Sequence, residues 1–405
     1  MRKYDNHSNG KDILYQYWFA TLPGLGRDTK KRLLADYEEA ELLELSDQDW
    51  KRILSEHEWR SFLRYRDRSD VKQPYHNNES NCIKSKYNNK SHHTERLYSH
   101  KKLYNIEEIA SEYYHLEEKG IRFFSWKSKD YPEKLRKIDD SPLGLFVKGR
   151  LPGAEKSIAV VGSRIPTAYG QEMARVFSRE LAKAGVSIIS GFAAGIDVAA
   201  HRGALEGDGL TYGILGNGPD IVYPRENYIT YEKILESGGI LSEYKPGEQP
   251  LPYRFPERNR IISGLADGVF VVEAKERSGS LITADCGLEQ GKEIYALPGR
   301  AGDILSEGCN WLIRQGAKLV TEPAHILEDI WPKNEKNLKN TINLDKLLDN
   351  KEKIVYDCLG LEPKYVEDII RETNLSVSEG ISILFRLELN GYIKQIVKDY
   401  YLICL

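Results

Sequence analysis

The sequence predicts an α/β protein built on a parallel sheet, with a small helical domain before it and a winged helix after it. Three observations carry this expectation. Short β-branched runs alternate with helical segments through the middle of the chain. Those runs are apolar almost throughout, as strands covered on both faces are. The two ends differ in texture: spaced apolar residues at the start, three helical segments and a hairpin pattern at the finish.

Residues 1–70 form the expected N-terminal helical domain. Ile13, Tyr17, Leu33, Leu34, Leu42, Leu43 and Leu45 recur at helical spacing with charged residues between them. Residues 71–103 read as a disordered polar insertion. They are poor in aliphatics, rich in Asn, Ser, His and Lys, and carry seven basic against two acidic residues. A solvated spacer and a diffuse attraction for polyanions both fit that composition.

An extended Rossmann-like domain is expected over 104–332. Its first helix, Ile106–Lys119, ends at Gly120. Strands follow at Ser157–Val161, Val186–Ser190, Thr211–Leu215, Gly268–Val272, Glu293–Ala296 and Lys318–Val320. A linker spans 333–349, and the winged helix occupies 350–405. Its helices are expected at Lys351–Leu359, Lys364–Asn374 and Val377–Asn390, and its strands at Tyr392–Ile396 and Tyr400–Cys404.

Composition narrows the function classes. The net charge is −3, so any surface for a polyanion is a local patch. Five scattered cysteines without a C-x-x-C pair fit a reducing, cytoplasmic setting and offer no metal-ligand spacing. The polar N-terminus lacks the apolar stretch of a signal peptide, and no apolar run reaches the roughly 18 residues of a membrane span.

Several strands run into glycine or small polar residues, where an open α/β sheet places its ligand. The first exits into Gly162-Ser163-Arg164, which combines close backbone approach, a following helix N-terminus and a guanidinium fork. A tight turn with a solvent-facing arginine fits the same residues. The second gives Ser190-Gly191, then Gly195-Ile196-Asp197 and His201. Asp197 and His201 stand four apart, which suits an acid–base pair or a structural helix start. Arg225 follows Tyr223-Pro224. In Phe255-Pro256-Glu257-Arg258-Asn259-Arg260, the arginines could fork a phosphate or pair with Glu257 or Glu273. Ser278-Gly279-Ser280 opens another helix after a strand.

The order of these motifs closely resembles the DNA-processing protein A family, also called DprA or Smf. The order runs V-G-S-R, S-G-x-A-x-G-I-D-x-x-x-H, Y-P, F-P-x-R-N-R, V-V-E-A, S-G-S-L-I-T-A, P-G, G-x-N-x-L-I and G-A, and the likeness extends from Tyr131-Pro132 to about Val320. Leu22-Pro23-Gly24-Leu25-Gly26 more weakly resembles a helix-hairpin-helix turn, with Arg27, Lys30, Lys31 and Arg32 beside it. The resemblance implies a non-catalytic protein without cofactor or metal. Such a protein binds single-stranded DNA, forms a homodimer and helps load the RecA recombinase onto incoming DNA in natural transformation and recombination.

The family's DNA contacts carry over onto Gly162, Ser163 and Arg164, the stretch from Ser190 through Gly191 to Gly195, Arg225, Phe255, Arg258 and Arg260. Asn259 and the Ser278-Gly279-Ser280 turn join the candidates from their own chemistry. One departure is Leu210, where many relatives carry a lysine. A phosphoribohydrolase-like enzyme is the competing class, with Glu289 as its candidate carboxylate. A sequence-specific regulator acting through the winged helix is the third. Against it, residues 351–399 carry seven basic and nine acidic side chains, which suits a protein partner better than duplex DNA.

Overall fold

The structure, a computed structural model, describes residues 9–69, 104–331, 349–360 and 363–403. The expected polar insertion at 71–103, and the expected linker apart from Asp349, lie outside the described residues.

Five helices come first: α1 (Asn9–Thr21), α2 (Arg27–Asp36), α3 (Glu39–Glu44), α4 (Asp47–Ile53) and α5 (Glu56–Ser69). Ser46 and Asp49 start α4 with a reciprocal capping box, each side chain accepting the other's backbone N–H. Next come α6 (Ile106–Glu118), β1 (Ile121–Ser125), α7 (Glu133–Arg136) and β2 (Gly144–Gly149). The alternating part runs β3 (Ser157–Val161), α8 (Ala168–Lys183), β4 (Ser187–Ser190), α9 (Ile196–Glu206), β5 (Thr211–Leu215), α10 (Tyr228–Ser237) and β6 (Gly239–Ser242). It continues through α11 (Arg254–Leu265), β7 (Gly268–Val271), α12 (Gly279–Glu289), β8 (Glu293–Ala296), α13 (Glu307–Arg314), β9 (Lys318–Leu319) and α14 (Pro323–Ile330).

These residues fall into two compact units. One comprises the chain up to Gly153 with Leu215–Val222 and Gly239–Ile261; the other comprises Ala154–Ile214, Tyr223–Gly238 and Ile262 onward. In the first unit β1, β2 and β6 pair antiparallel, Phe123 opposite Phe146 and Phe146 opposite Ser242. None of these three strands was expected from the sequence. The core of this unit crosses the expected boundary between residues 70 and 104. Tyr17 of α1 meets Tyr113, Phe123 and Phe146 edge-on, with ring centres 5.4, 5.2 and 6.1 Å away. The five short helices share one apolar core with α6, β1 and β2, because α1 buries Leu14, Tyr17, Trp18 and Phe19 together.

In the second unit the strands are parallel in the order β5-β4-β3-β7-β8-β9. Ile158 and Val160 of β3 pack with Phe177 of α8, Ala199 and Ala200 of α9 and Ile326 and Ile330 of α14. The alternate residues Ala159 and Val161 are buried as well, so the sheet is covered on both faces. From β3 the chain winds first through β4 and β5, then returns to β7 on the other side. The β3/β7 junction is therefore the topological switch point, outside whose carboxyl ends such sheets hold ligands.

The winged helix contains α15 (Asn350–Cys358), β10 (Lys364–Tyr365), α16 (Val366–Thr373), α17 (Val377–Leu389), β11 (Ile393–Val397) and β12 (Tyr400–Ile403). Its sheet runs β10-β12-β11, and Val355, Ile369, Ile383, Leu384, Leu387 and Ile393 form its core. The two-residue β10 replaces the first turn expected of the helix at Lys364.

Candidate nucleic-acid interface

Parallel strands share one carboxyl edge, and the β3, β4, β7 and β8 turns of the second unit all open there. Gly162 follows β3 directly. A Cβ on it would stand 2.7 Å from Ile196 and 3.0 Å from the Glu273 carbonyl, so this glycine lets the β3 and β4 turns close on each other. Gly195 has φ +82°, and a Cβ there would overlap the Ser163 carbonyl oxygen. That oxygen accepts the Ile196 N–H at 3.1 Å, locking the two turns backbone to backbone. Arg164 and Ile165 are carried outward into solvent by the locked turn.

The start of α8, expected to receive an external anion, already holds an internal one. Thr167 caps the helix by accepting the Gly170 N–H at 3.0 Å. The buried Glu273 carboxylate accepts the Thr167 N–H at 2.9 Å and the Thr167 hydroxyl. Gly170 leaves room for it, since a Cβ there would overlap that carboxylate. Glu273 thus belongs to this helix start. Sequence reading placed Glu273 in V-V-E-A but had no signal for its partner.

In the β4 turn, Gly191 is buried and Gly195 is half-buried. Ser190 is fully buried and its hydroxyl donates to the Val160 carbonyl at 2.6 Å, so it stitches β4 to β3 instead of facing a ligand. The Asp197 carboxylate accepts the Ala193 N–H at 3.2 Å and shapes the same turn. His201 is completely buried against Thr211 at 2.7 Å. The single Thr211 hydroxyl proton goes to the Ile188 carbonyl, so His201 Nδ1 donates to Thr211. The pair reads as scaffold. Among the described residues no three His, Cys, Asp or Glu side chains gather as metal ligands.

Arg225 is exposed and follows the cis Tyr223–Pro224 peptide. Two residues on, the Asn227 amide donates to the Phe192 carbonyl at 3.2 Å and ties this segment to the β4 turn. At the β7 exit, Ser278 caps α12 through the Ser280 N–H, and the two hydroxyls lie 2.8 Å apart. Gly279 is exposed, and a Cβ there would meet open space, so the backbone at this helix start faces solvent. Glu289 lies at the opposite end of α12, roughly 16 Å along the helix from Ser278. That separation removes the carboxylate a phosphoribohydrolase would need at the turn. Beyond β8, Asn310 brackets Gly299, donating to its carbonyl at 3.0 Å and accepting its N–H at 3.2 Å, which explains why P-G and G-x-N occur together.

The α11 candidates lie in the first unit. Phe255 is half-buried, and the Arg258 guanidinium lies 6.0 Å from its ring centre. Arg258 is buried and Asn259 is half-buried. Arg260 departs from expectation. It is 4% exposed, donates twice to Glu243 at 2.8 and 2.9 Å, and pairs with Asp140 at 3.0 Å. Burial opposes its charge, but Glu243 and Asp140 more than offset that and hold its pKa above the ordinary value. Arg260 also donates to the Glu257 backbone carbonyl at 3.0 Å, so its guanidinium is engaged within the fold.

The basic cluster beside Leu22–Gly26 is engaged as well. Arg27 pairs with Asp140 at 3.6 Å, Lys30 donates to the Ala20 carbonyl at 2.8 Å, Lys31 to the Asp139 carbonyl, and Arg32 to Glu58 at 3.0 Å. Gly24 itself turns inward against Phe62. Arg27, Lys30, Lys31 and Arg32 therefore brace the helical part.

No described helix is long and apolar enough to cross a membrane. Residues 122–331 match the family described as DNA recombination-mediator protein A, and residues 345–396 match the DprA winged helix domain. Protein Smf of Escherichia coli is 42% identical over 294 residues, spanning 70% of this chain and 78% of that protein. DNA processing protein DprA of Bacillus subtilis is 42% identical over 219 residues, spanning 54% and 74%. The X-ray structure of DNA processing protein A from Streptococcus pneumoniae superposes with a TM-score of 0.60 at 33% identity, covering 79% of this chain and 97% of that one. With half its length matched by the family and its strand-end motifs in the family's order, this chain belongs to the DNA recombination-mediator protein A family.

Proposed function

We propose that the chain grips single-stranded DNA along the carboxyl edge of its parallel sheet and catalyses no reaction on it. In this reading it acts as a recombination mediator that protects incoming DNA and helps load RecA, as a homodimer in the cytoplasm. The observation that carries the DNA reading is the form of that edge. Gly162–Arg164, Gly191–Gly195, Arg225 and Ser278–Ser280 offer several backbone-rich turns and two exposed guanidiniums on one side of one sheet. A mononucleotide cofactor needs one anion-binding helix start at the switch point, and Glu273 occupies that start. A strand of phosphates needs repeated grips of the kind seen here.

Phe255, Arg258 and Asn259 remain in the proposal as a second contact region with one aromatic face for a base. Ser190 and Arg260 support the scaffold. The engagement of Asp197 and His201 within the fold supports a non-catalytic role. RecA and the homodimer rest on family membership.

The test is a fluorescence-anisotropy titration with oligo-dT and the matching duplex across a salt series. Tight, salt-sensitive binding of the single strand is expected. Arg164→Ala or Arg225→Ala should each weaken it and reduce the slope of log K against log salt by about 0.7 for each phosphate no longer neutralised. Equal affinity for the duplex, or wild-type binding by Arg164→Ala, would overturn the proposal.

A further inference from the structure

An aromatic side chain outside every motif of the sequence stands beside Arg225. A single 3₁₀ turn, Arg225–Asn227, runs straight into α10, whose first residue is Tyr228. The Tyr228 backbone is helical, with φ −52° and ψ −46°, and its N–H donates to the Arg225 carbonyl. Side chains three apart eclipse in such a turn, so Arg225 and Tyr228 leave the backbone on one face, roughly 6 Å apart along the axis. Both are exposed, Tyr228 to 57%.

The residues on either side of Tyr228 are pinned from below. Asn227 is buried and donates to the Phe192 carbonyl at 3.2 Å. Thr230 is buried and accepts from Arg202 Nε at 3.3 Å. Tyr231 is buried and meets the Phe192 ring edge-on, with ring centres 6.1 Å apart. A tyrosine needed for packing would lie among these three, and Tyr228 lies on the solvent side instead. Its backbone is already fixed, so only its two side-chain torsions remain to be ordered by a ligand.

We propose that Tyr228 is a stacking platform for one base of the bound strand, with Arg225 holding a neighbouring phosphate. The proposal rests on the single-stranded DNA reading and deepens it, adding a base contact where that reading has a phosphate contact alone. A guanidinium beside an aromatic face matches what each nucleotide presents, an anion joined to a flat π-surface. Charge sets the direction. Glu232 follows Tyr228 by four residues on the same face of α10 and repels phosphate, which keeps the backbone on the Arg225 side and leaves the ring to a base. Exposed apolar surface in this segment is confined to Tyr223, Tyr228 and Ile229, with the charged and exposed Glu226, Glu232 and Lys233 around it. That is room for a base and too little for a protein interface.

Fluorescence anisotropy of the full chain with oligo-dT, and with an abasic oligomer of equal length, separates stacking from charge. Tyr228→Ala should weaken oligo-dT binding about tenfold and leave the slope of log K against log salt unchanged, whereas Arg225→Ala lowers that slope. Tyr228→Phe keeps the ring and should bind as the wild type does. On the abasic strand, which keeps the phosphates and lacks the bases, wild type and Tyr228→Ala should bind equally, and that equality also shows the variant to be folded. Wild-type affinity of Tyr228→Ala for oligo-dT while Arg164→Ala is still weakened, or an equal loss on the abasic strand, would overturn this subsite alone. A wild type that does not prefer the single strand would overturn the DNA reading itself and the subsite with it.

Discussion

Replacing Glu273 by glutamine tests whether the α8 start is held by an internal anion. The wild-type carboxylate is 5% exposed and takes both the Thr167 N–H, at 2.9 Å, and the Thr167 hydroxyl. Glutamine keeps the shape: its carbonyl can still accept the N–H, and its amide can donate to Thr167. Only the charge is removed. Hydrogen bonds to a charged group contribute about 1.5–3 kcal/mol against about 1 kcal/mol for a neutral pair. A negative charge at a helix N-terminus adds about 0.3–1 kcal/mol. Glu273→Gln should therefore cost about 2 kcal/mol, lowering Tm by about 4–8 °C for a domain of 150–250 residues. Gly170→Ala disturbs the same contact from the other side, because its methyl overlaps the carboxylate. In a Glu273→Ala background that methyl has room, so the two changes should couple by at least about 1 kcal/mol in a double-mutant cycle. Thermal unfolding followed by circular dichroism and urea titrations provide both readings. A Tm within a degree of wild type for Glu273→Gln, or strict additivity in the cycle, would refute the assignment.

Arg260→Ala should behave unlike Arg164→Ala. It leaves the half-buried Glu243 carboxylate without its guanidinium, costing about 1–3 kcal/mol in urea unfolding, and leaves the salt slope of DNA binding unchanged. Gly195→Ala forces a side chain into a left-handed conformation against the Ser163 carbonyl. It should cost at least about 1–2 kcal/mol and weaken single-strand binding by moving the β3 turn, measured by urea unfolding and anisotropy. Lys30 gives a pH signature. Burial, with Lys245 acting in the same direction, brings its pKa down from 10.5 to about 8, against the pull of Glu243 and Glu248. Between those values the unfolded chain holds a proton that the folded chain lacks, so stability rises with pH across this window. The rise approaches about 3 kcal/mol at 1.36 kcal/mol per unit. Lys30→Met should abolish that rise, and urea unfolding at pH 7.5 and 9.5 would show it; equal slopes for both proteins would refute the shift.

Much of the fold was legible because the information was local. The ranges of β3, β5 and β8 agree with their β-branched runs residue for residue, and α17 begins where Ser376 caps it. β1, β2 and β6 were missed for a physical reason. They form an antiparallel set in which β2 pairs with the distant β6, and Gly144, Gly149 and Gly239 interrupt the pattern in β2 and β6. What makes Gly239 part of a strand is the Arg150 carbonyl packed where its side chain would be, 89 residues earlier, and no window of sequence contains that neighbour.

The candidate site shows the same limit more sharply. Arg164 and Arg260 carry the same charge, yet one is exposed and the other is buried between Glu243 and Asp140. Asp140 lies 120 residues before Arg260, and Glu273 lies 106 residues after Thr167. A sequence displays which groups can bind a phosphate; it conceals which of them the fold has already paired with a carboxylate. The glycine positions were the better guide, because a close approach leaves its mark in the residue itself, whereas an arginine looks the same whether its partner is a ligand or the protein. For the proposed DNA path, the exposed glycine at the α12 start and the outward turn at Arg164 are therefore better candidates than any count of basic residues.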